Sequence, residues 1–416
     1  MDDVLESANM ADAWDRVQRN KGDPGPDART IEETAHSLKV SWPELKEALR
    51  AGSYQPGPVR TVHIPKGKGK YRMLGIPNVV DRLIQQAIHQ VLSPHYEKDF
   101  SSSSFGFRPG RNAWQAIEQA HDYTKQGHNI VVDIDLEKFF DQVNHDILMA
   151  RLARRIHDKR LLGLIRRYLQ SGMMMGGLVS QRETGTPQGS PLSPLLSNIL
   201  LDDLDKELDA RGHRFCRYAD DCQVYVKSRR AGHRVKESMT AFLETRLKLP
   251  VNRSKSRVVA ASRSSFLGYG FLGMANPRIR CSSETVKRFK RRVRQLTRGH
   301  DREAIEVKLA RLDNYLRGWS SYFRLAETRR LFADLDGWIR SRLRMCLMKQ
   351  WFKPRTRVRK MIQLGLPVDE AKGYCQHKRW WFLAQLHRTR YAMNNRWWHA
   401  KGFRGVSFYM KRFANT

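Results

Sequence analysis

The chain has 416 residues, 40% hydrophobic and 28% charged, a globular composition that at roughly 100–200 residues per domain implies two to four domains. Its 76 lysines and arginines against 42 acids leave a formal charge of +34, which points to a polyanionic partner, because each phosphate neutralised releases condensed counterions. No run approaches the ~18 apolar residues that span a bilayer, and the acidic opening MDDVLESANM lacks the basic-then-apolar order of a signal peptide. Nucleic acid is therefore expected rather than anionic lipid, and the cytoplasm rather than a membrane.

In chain order, a first helix is followed by the turn-rich NKGDPGPDA (Asn20 to Ala28). The basic IPKGKGKYRMLGIP (Ile64 to Pro77) alternates Gly and Lys as a hairpin tip would, without the GxxxxGK[ST] order of a P-loop. A second turn-rich stretch, SSSSFGFRPGRNAW, runs from Ser101 to Trp114. From about 130 to 272, short apolar runs alternate with helical stretches, as in mixed α/β folds. In NIVVDIDLEKFFDQVNHDIL (Asn129 to Leu148) the apolar residues up to Ile134 read as a buried strand. Asp133 and Asp135 alternate onto one face of its end, and Asn144 suits the cap of the next helix. TGTPQGSP is a loop with exposed backbone donors. After it, Ser193 and Pro194 suit the N-cap and first position of a helix, with Leu196, Leu200, Leu204 and Leu208 as its buried stripe. In FCRYADDCQVYV two β-rich runs meet at Ala-Asp-Asp, a hairpin with its acids at the turn.

Beyond about 280 helical periodicity takes over. Ile305, Leu309, Leu312, Leu316, Trp319 and Phe323 form one apolar stripe. Leu335, Ile339, Leu343 and Leu347 form another, with Arg340, Arg342 and Arg344 on the remaining faces. The tail from WFKPRTRVRK onward is rich in Arg and Trp, which fits helices packed on one side and facing phosphate on the other. Cys216, Cys222, Cys281, Cys346 and Cys375 form no CxxC pair and no zinc-finger spacing, and are expected to be reduced thiols.

One carboxylate at a strand end is ordinarily a turn or a cap. Acids at two strand ends of a strongly basic chain, if adjacent in space, repel unless divalent cations lie between them. That is the requirement of two-metal phosphoryl transfer, in which ions about 3.5–4 Å apart activate an attacking hydroxyl and stabilise the leaving oxygen. Magnesium prefers carboxylate oxygens and keeps several waters, so two or three aspartates suffice.

Order and wording of these motifs resemble a bacterial group II intron-encoded reverse transcriptase, or maturase. VVDIDLEKFFD, TPQGSPLSPLLSN and RYADD resemble its polymerase motifs. NKGDPGPDA, IPKGKGKYRMLGIPNVVDRLIQQA, SSSFGFRPGRNA, LKLPVNRSKSRV and FLGYGF match further pieces in order, and LDNYLRGWSSYFRLAE with WIRSRLRMCLMKQW resembles the thumb, or X, domain. The resemblance covers nearly the whole chain. It implies an α+β right-hand polymerase: an N-terminal extension and fingers over 1–125, a palm over 126–280, a helical thumb over 281–352 and a small basic domain over 353–416. No Cys/His-rich nuclease module follows, so a nick, a replication fork or reverse splicing is expected to provide the primer.

Carried over residue by residue, the resemblance implies that Asp135, Asp220 and Asp221, with the backbone carbonyl of Leu136, hold two Mg²⁺. Asp135 is preferred to Asp133 because the family's acid precedes a bulky aromatic by five positions, here Phe140. Phe140 becomes the steric gate against a ribose 2′-hydroxyl, although an ordinary core phenylalanine would read the same. Gln188 lines the incoming nucleotide's pocket, Lys66 and Arg72 close over the triphosphate (with Lys68 and Lys70 as alternatives to Lys66), and Lys255 lies near the leaving pyrophosphate. Nucleic-acid contacts are expected from Arg108, Arg111, Arg288, Arg291, Arg292, Arg317, Arg340, Arg344 and Arg355. Ser190, Ala28 and Trp114 depart from the family's wording, on template-side loops rather than at the acids. Expected partners are the intron RNA or another structured RNA template, a DNA primer or target, and dNTPs. A domesticated reverse transcriptase serving repair or phage defence, and an RNA-binding splicing factor without polymerase activity, are the alternative readings.

Overall fold

Capping and turn chemistry set the N-terminal elements. Helix α1 (Ser7–Asn20) stops at Lys21 in the left-handed conformation. Helix α2 (Ile31–Ala51) opens on a capping box in which Thr30 and Glu33 each satisfy the other's backbone N–H. The NKGDPGPDA turn between them holds Ala28 at φ 56°, a conformation natural to glycine. The computed structural model describes residues 1–67, 69–175, 178–180, 184–186, 189–273, 276–298, 303–375 and 379–414. They form two units, Met1–Ser264 and Ser265–Thr416.

The described residues of the first unit form the strands β1 (Val59–Gly67), β2 (Lys70–Ile76), β3 (Ile130–Ile134), β4 (Met173–Met175), β5 (Leu178–Ser180), β6 (Arg214–Tyr218), β7 (Asp221–Val226) and β8 (Arg257–Ala260). The basic stretch is the expected hairpin, β1 antiparallel to β2, within a sheet of order β2-β1-β4-β5. The second sheet has the order β6-β7-β3-β8 and is antiparallel throughout. Around them lie α3 (Val79–Glu97), α4 (Ala113–Lys125), α5 (Phe139–Gln142), α6 (His145–Ala153), α7 (Lys159–Gln170), α8 (Ser193–Ala210) and α9 (Arg229–Arg246). Asn144 caps α6 as expected, its Oδ1 accepting from Ile147 N at 2.9 Å.

Helix α8 differs from expectation in two ways. It begins at Ser193 itself, with Leu192 at the cap position and Pro194 inside the first turn. The Ser193 hydroxyl instead pairs with that of Ser190 at 3.1 Å. Besides the expected leucines, Leu195, Ile199 and Leu201 are also buried, so the helix is a core element on nearly every face rather than an amphipathic one.

Asp81, in the first turn of α3, is the least comfortable acid of this core. It is 1% exposed and accepts hydrogen bonds from the Tyr54 hydroxyl at 2.8 Å and from Gly57 N at 3.2 Å. Burial nevertheless outweighs those donors and pushes its carboxyl up to about 6. Because the folded pKa lies above the unfolded one, this group's stabilising contribution is full below pH ~4 and is lost as pH rises through about 6. Urea unfolding between pH 4 and 7 is therefore expected to give the wild type a downward slope, on the order of 2 kcal/mol in total, that Asp81→Asn lacks.

The second unit starts with a hairpin of β9 (Tyr269–Leu272) and β10 (Arg278–Cys281), followed by α10 (Ser283–Leu296), α11 (Ile305–Tyr322), α12 (Arg329–Gln350), α13 (Pro354–Gln363) and short helices as far as Ala414. The two units divide at Ser264, ahead of the residue 280 at which the palm is expected to end. Gly268 O accepts from Ser282 N at 2.9 Å and from Thr285 Oγ1 at 2.8 Å, and the Tyr322 hydroxyl donates to Leu267 O at 3.0 Å. The expected stripes of α11 and α12 are buried, except that Trp319 is half-buried. Arg344 corrects another expectation. It is buried, and its Nε donates to Ala384 O at 3.0 Å, so the guanidinium is held by the fold rather than presented on an exposed helix face. No disulfide joins the described cysteines, all of which are buried, and no described helix is long and apolar enough to cross a membrane.

Candidate active site

Strand register brings the expected acids to one end of the β6-β7-β3-β8 sheet. Ile134, the last residue of β3, pairs with Cys222 of β7, so the next step along each strand carries Asp135 and Asp221 to the same edge. Tyr218 pairs with Asp221 across the β6–β7 hairpin, which leaves Ala219 and Asp220 as a two-residue turn. Ala219 takes φ 57° there, as a primed hairpin turn demands of its first central residue.

Asp135 is pinned through its backbone and open at its carboxylate. Its N–H donates to Ser256 Oγ at 3.0 Å and its carbonyl accepts from Asn252 N at 2.8 Å. One oxygen, Oδ2, accepts from Lys255 Nζ at 3.0 Å. That pair is half-exposed, hence screened and individually weak. Leu136 and Val251 form a bridge flanked by Asn252 N→Asp135 O and Glu137 N→Pro250 O, a non-hydrogen-bonded antiparallel pair, so the Leu136 carbonyl points away from Val251.

Asp133, two residues upstream, has a different environment. Burial raises its pKa, against hydrogen bonds from Gln223 Nε2 and Arg257 Nε at 3.3 Å each. It is a strut between strands, whereas Asp135 and Asp221 are the accessible carboxylates.

The turn bearing Asp220 is held from behind by residues that sequence reasoning missed. Arg217 is 0% exposed. Its Nε donates to Asp205 Oδ1 at 2.7 Å, Nη2 bonds Asp205 Oδ2, and Nη1 donates to Asn198 Oδ1 at 2.9 Å and to Ala219 O at 3.0 Å. Asn198 Nδ2 donates in turn to Gly106 O at 2.8 Å. A Cβ at Gly106 would stand 2.3 Å from Ala219 N, so only glycine allows this close approach. The legible signal was an arginine inside an apolar strand, which requires an acid, and Asn198 and Asp205 two helical turns apart on α8.

The nucleotide-side residues are only partly assembled around this edge. Phe140 is half-buried against the core and meets Phe139 edge-on at 5.1 Å. The TGT segment is clamped beside it: Thr186 N donates to Phe140 O at 2.6 Å, and Gly185 N to Val143 O at 2.8 Å. A Cβ on Gly189 would lie 3.0 Å from Gly75 O of β2, so the loop runs close to the basic hairpin. Gln188 and Lys68 lie outside the described residues. Lys66 lies in β1 and Lys70 in β2, and Arg72 is exposed on β2 opposite Ile64.

Of the expected nucleic-acid contacts, Arg108 is turned inward. It is buried, with Nη2 2.7 Å from Glu97 Oε1 and Nη1 donating to the carbonyls of Ser101 (2.6 Å) and Ser104 (2.7 Å). It ties the turn to α3, and its guanidinium is taken up by these contacts rather than presented to nucleic acid. Arg111 is half-buried with its guanidinium 5.5 Å over the Phe105 ring. Arg288, Arg291 and Arg292 are exposed on α10, Arg317 on α11 and Arg355 on α13, while Arg340 of α12 is half-buried.

Among the described residues no three His, Cys, Asp or Glu side chains form a preformed metal cage. The donor set at the sheet edge, accessible carboxylates and a carbonyl aimed off the ladder, is nevertheless all hard oxygen and suits a magnesium ion that keeps several waters.

An acid-tipped antiparallel sheet joined to a basic hairpin defines a polymerase palm with its fingers, and residues 64–271 match the family described as reverse transcriptase (RNA-dependent DNA polymerase). Residues 286–364 match the group II intron, maturase-specific domain. The chain belongs to the reverse transcriptase family and carries a group II maturase-specific domain. Protein YkfC of Escherichia coli (strain K12) is 34% identical over 288 residues, 60% of this chain and 74% of YkfC. The group II intron-encoded protein LtrA of Lactococcus lactis subsp. cremoris is 28% identical over 343 residues, covering 66% of this chain and 57% of LtrA. A chain of the solved partial Cas6-RT-Cas1–Cas2 complex is 27% identical, with TM-score 0.38, over 58% of this chain and 42% of that one.

Proposed function

We propose that Asp135, Asp220 and Asp221, with the Leu136 carbonyl, hold two Mg²⁺ and that this edge adds deoxynucleotides to a DNA primer on an RNA template. The observation that carries the reading is the register that brings Asp135 and Asp221 to one edge with Asp220 in the adjoining turn. Bound there, the two ions supply activation of the primer 3′-hydroxyl and stabilisation of the leaving oxygen. The chain's own residues do the rest. The Asn252–Ser256 loop fixes Asp135, Arg72 attracts the triphosphate, and Phe140 occupies the space a 2′-hydroxyl would need, while the family resemblance assigns Lys66 to the triphosphate and Gln188 to the incoming nucleotide. Lys255, beside Asp135, is placed to neutralise charge on departing pyrophosphate.

By likeness to LtrA and through its maturase-specific domain, the protein also binds a group II intron RNA in the cytoplasm, assists its splicing and supports its mobility by target-primed reverse transcription. Arg111, Arg288, Arg291, Arg292, Arg317, Arg340 and Arg355 contribute to that grip. RNA recognition of this kind rests on shape, phosphate and unpaired bases, because the A-form major groove is too narrow for side chains.

The test is primer extension on an RNA template with dNTPs, together with sequencing of the RNA that copurifies with the protein. Template-dependent extension and an enriched structured intron are expected; RNA binding without any extension would favour a splicing factor, and extension without an intron a domesticated polymerase. Phe140→Ala is expected to reduce discrimination against ribonucleotides by about ten- to a hundredfold, measured as the ratio of kcat/KM for dNTP and rNTP. An unchanged ratio would remove Phe140 from the gate.

A further inference from the structure

The sheet has a second end. Where β3 begins and β7 finishes, roughly 16 Å along the strand from Asp135, the surface of the first unit has an open concavity of about 440 Å³. Its wall carries Arg211, Arg214, Lys227, Arg234, His128 and His213, and no acid lines it. Val226 and Val235 contribute apolar surface.

Three of these cations are not neutralised internally. Arg211 is anchored by Glu207 and Ser238, but Arg214, Lys227 and Arg234 are exposed and make no ion pair with a described residue. Helix α9 begins at this wall, its first turn holds no acid, and Ser228 caps it by accepting from Ala231 N at 3.2 Å. The imidazoles register the same field. Burial, joined by the charges of Lys227 and Arg214, outweighs a hydrogen bond to the Tyr123 backbone and holds His128 below its usual pKa, while burial and Arg211 do the same for His213. Like charges gathered around a concavity repel one another, and an anion seated among them converts that repulsion into attraction.

The concavity is larger than one phosphate ion needs, and Val226 and Val235 make its lining partly apolar. We propose that this cavity is a second nucleic-acid site, holding phosphodiesters of a single-stranded RNA segment outside the polymerase edge. The choice of a polynucleotide over a small anion rests on the reverse-transcriptase reading; the presence of an anion site does not.

The test uses the full chain and the triple variant Arg214→Ala/Lys227→Ala/Arg234→Ala, whose substitutions are all at exposed positions, with Lys227→Glu as a single-site check. Binding of a labelled single-stranded oligoribonucleotide is measured by anisotropy across a salt series, beside dNTP addition on a saturating short RNA–DNA primer–template. The expected result is weaker RNA binding, with the slope of log K against log[salt] shallower by about 2, as loss of three single-strand phosphate contacts implies. Lys227→Glu shifts both in the same direction, and nucleotide addition is unchanged. An RNA affinity and slope equal to wild type in both variants would overturn the proposal. So would stabilisation of the wild type, but not the triple variant, by inorganic phosphate with RNA binding unaffected, since that identifies a small-anion site. If no protein extends the primer while the RNA arm behaves as stated, the cavity stands and the polymerase reading fails.

Discussion

Arg217→Ala is expected to destabilise the first unit by about 3–5 kcal/mol, the penalty for breaking a fully buried ion pair by removing one partner. Asp205, itself 0% exposed, would keep its charge without the guanidinium, and Asn198 Oδ1 and Ala219 O would lose their donor. Against the 5–15 kcal/mol that holds a typical domain together this is a large fraction. Asp205→Ala should act in the same direction by leaving the guanidinium unpaired. The double variant Arg217→Met/Asp205→Leu separates stability from positioning. Replacing both charges with apolar side chains should recover most of the lost stability, yet the Ala219 carbonyl stays untethered and nucleotide addition should remain low. Denaturant unfolding and primer extension on the same three proteins measure both. A change below 1 kcal/mol for Arg217→Ala, or full activity in the double variant, would show that the network does not hold the turn.

That network also marks how far the sequence could be read. Periodicity made the strand before Asp135, the hairpin around Asp220 and the stripes of α11 and α12 legible, because each depends on local alternation of apolar residues. The register that brings Asp135 beside Asp221 was not legible in the same way. It depends on pairing between strands some ninety residues apart, and only the family resemblance joined them in advance. Arg108 and Arg344 misled for a related reason. An arginine in a basic, turn-rich or helical segment looks like a phosphate ligand, and nothing local reveals that Glu97 and the Ser101 and Ser104 carbonyls, or the Ala384 carbonyl, will take its donors. Ser190 shows the opposite case. A departure from the family's usual glycine is accommodated because its hydroxyl finds Ser193 at 3.1 Å. Alternation alone puts Asp133 and Asp135 on the same face; the spacing to Phe140 favours Asp135, and burial with the Gln223 and Arg257 contacts makes Asp133 a strut rather than an accessible carboxylate.

On the proposed reading, the acids at this edge make the chain an RNA-directed DNA polymerase. Asp220 is the most exacting residue to test, because it occupies the turn itself, where substitution leaves the strand pairing of β6 and β7 intact. Removing a carboxylate from a two-metal site forfeits several kcal/mol of transition-state stabilisation, about a thousandfold or more in rate. Single-nucleotide addition to a DNA primer on an RNA template, in the presence of Mg²⁺, is therefore the deciding measurement for the wild type and Asp220→Ala. Addition by the wild type with loss of about a thousandfold or more in the variant, at unchanged unfolding midpoint, is the predicted result. Equal rates in the two proteins would contradict the assignment of this edge as the polymerase centre.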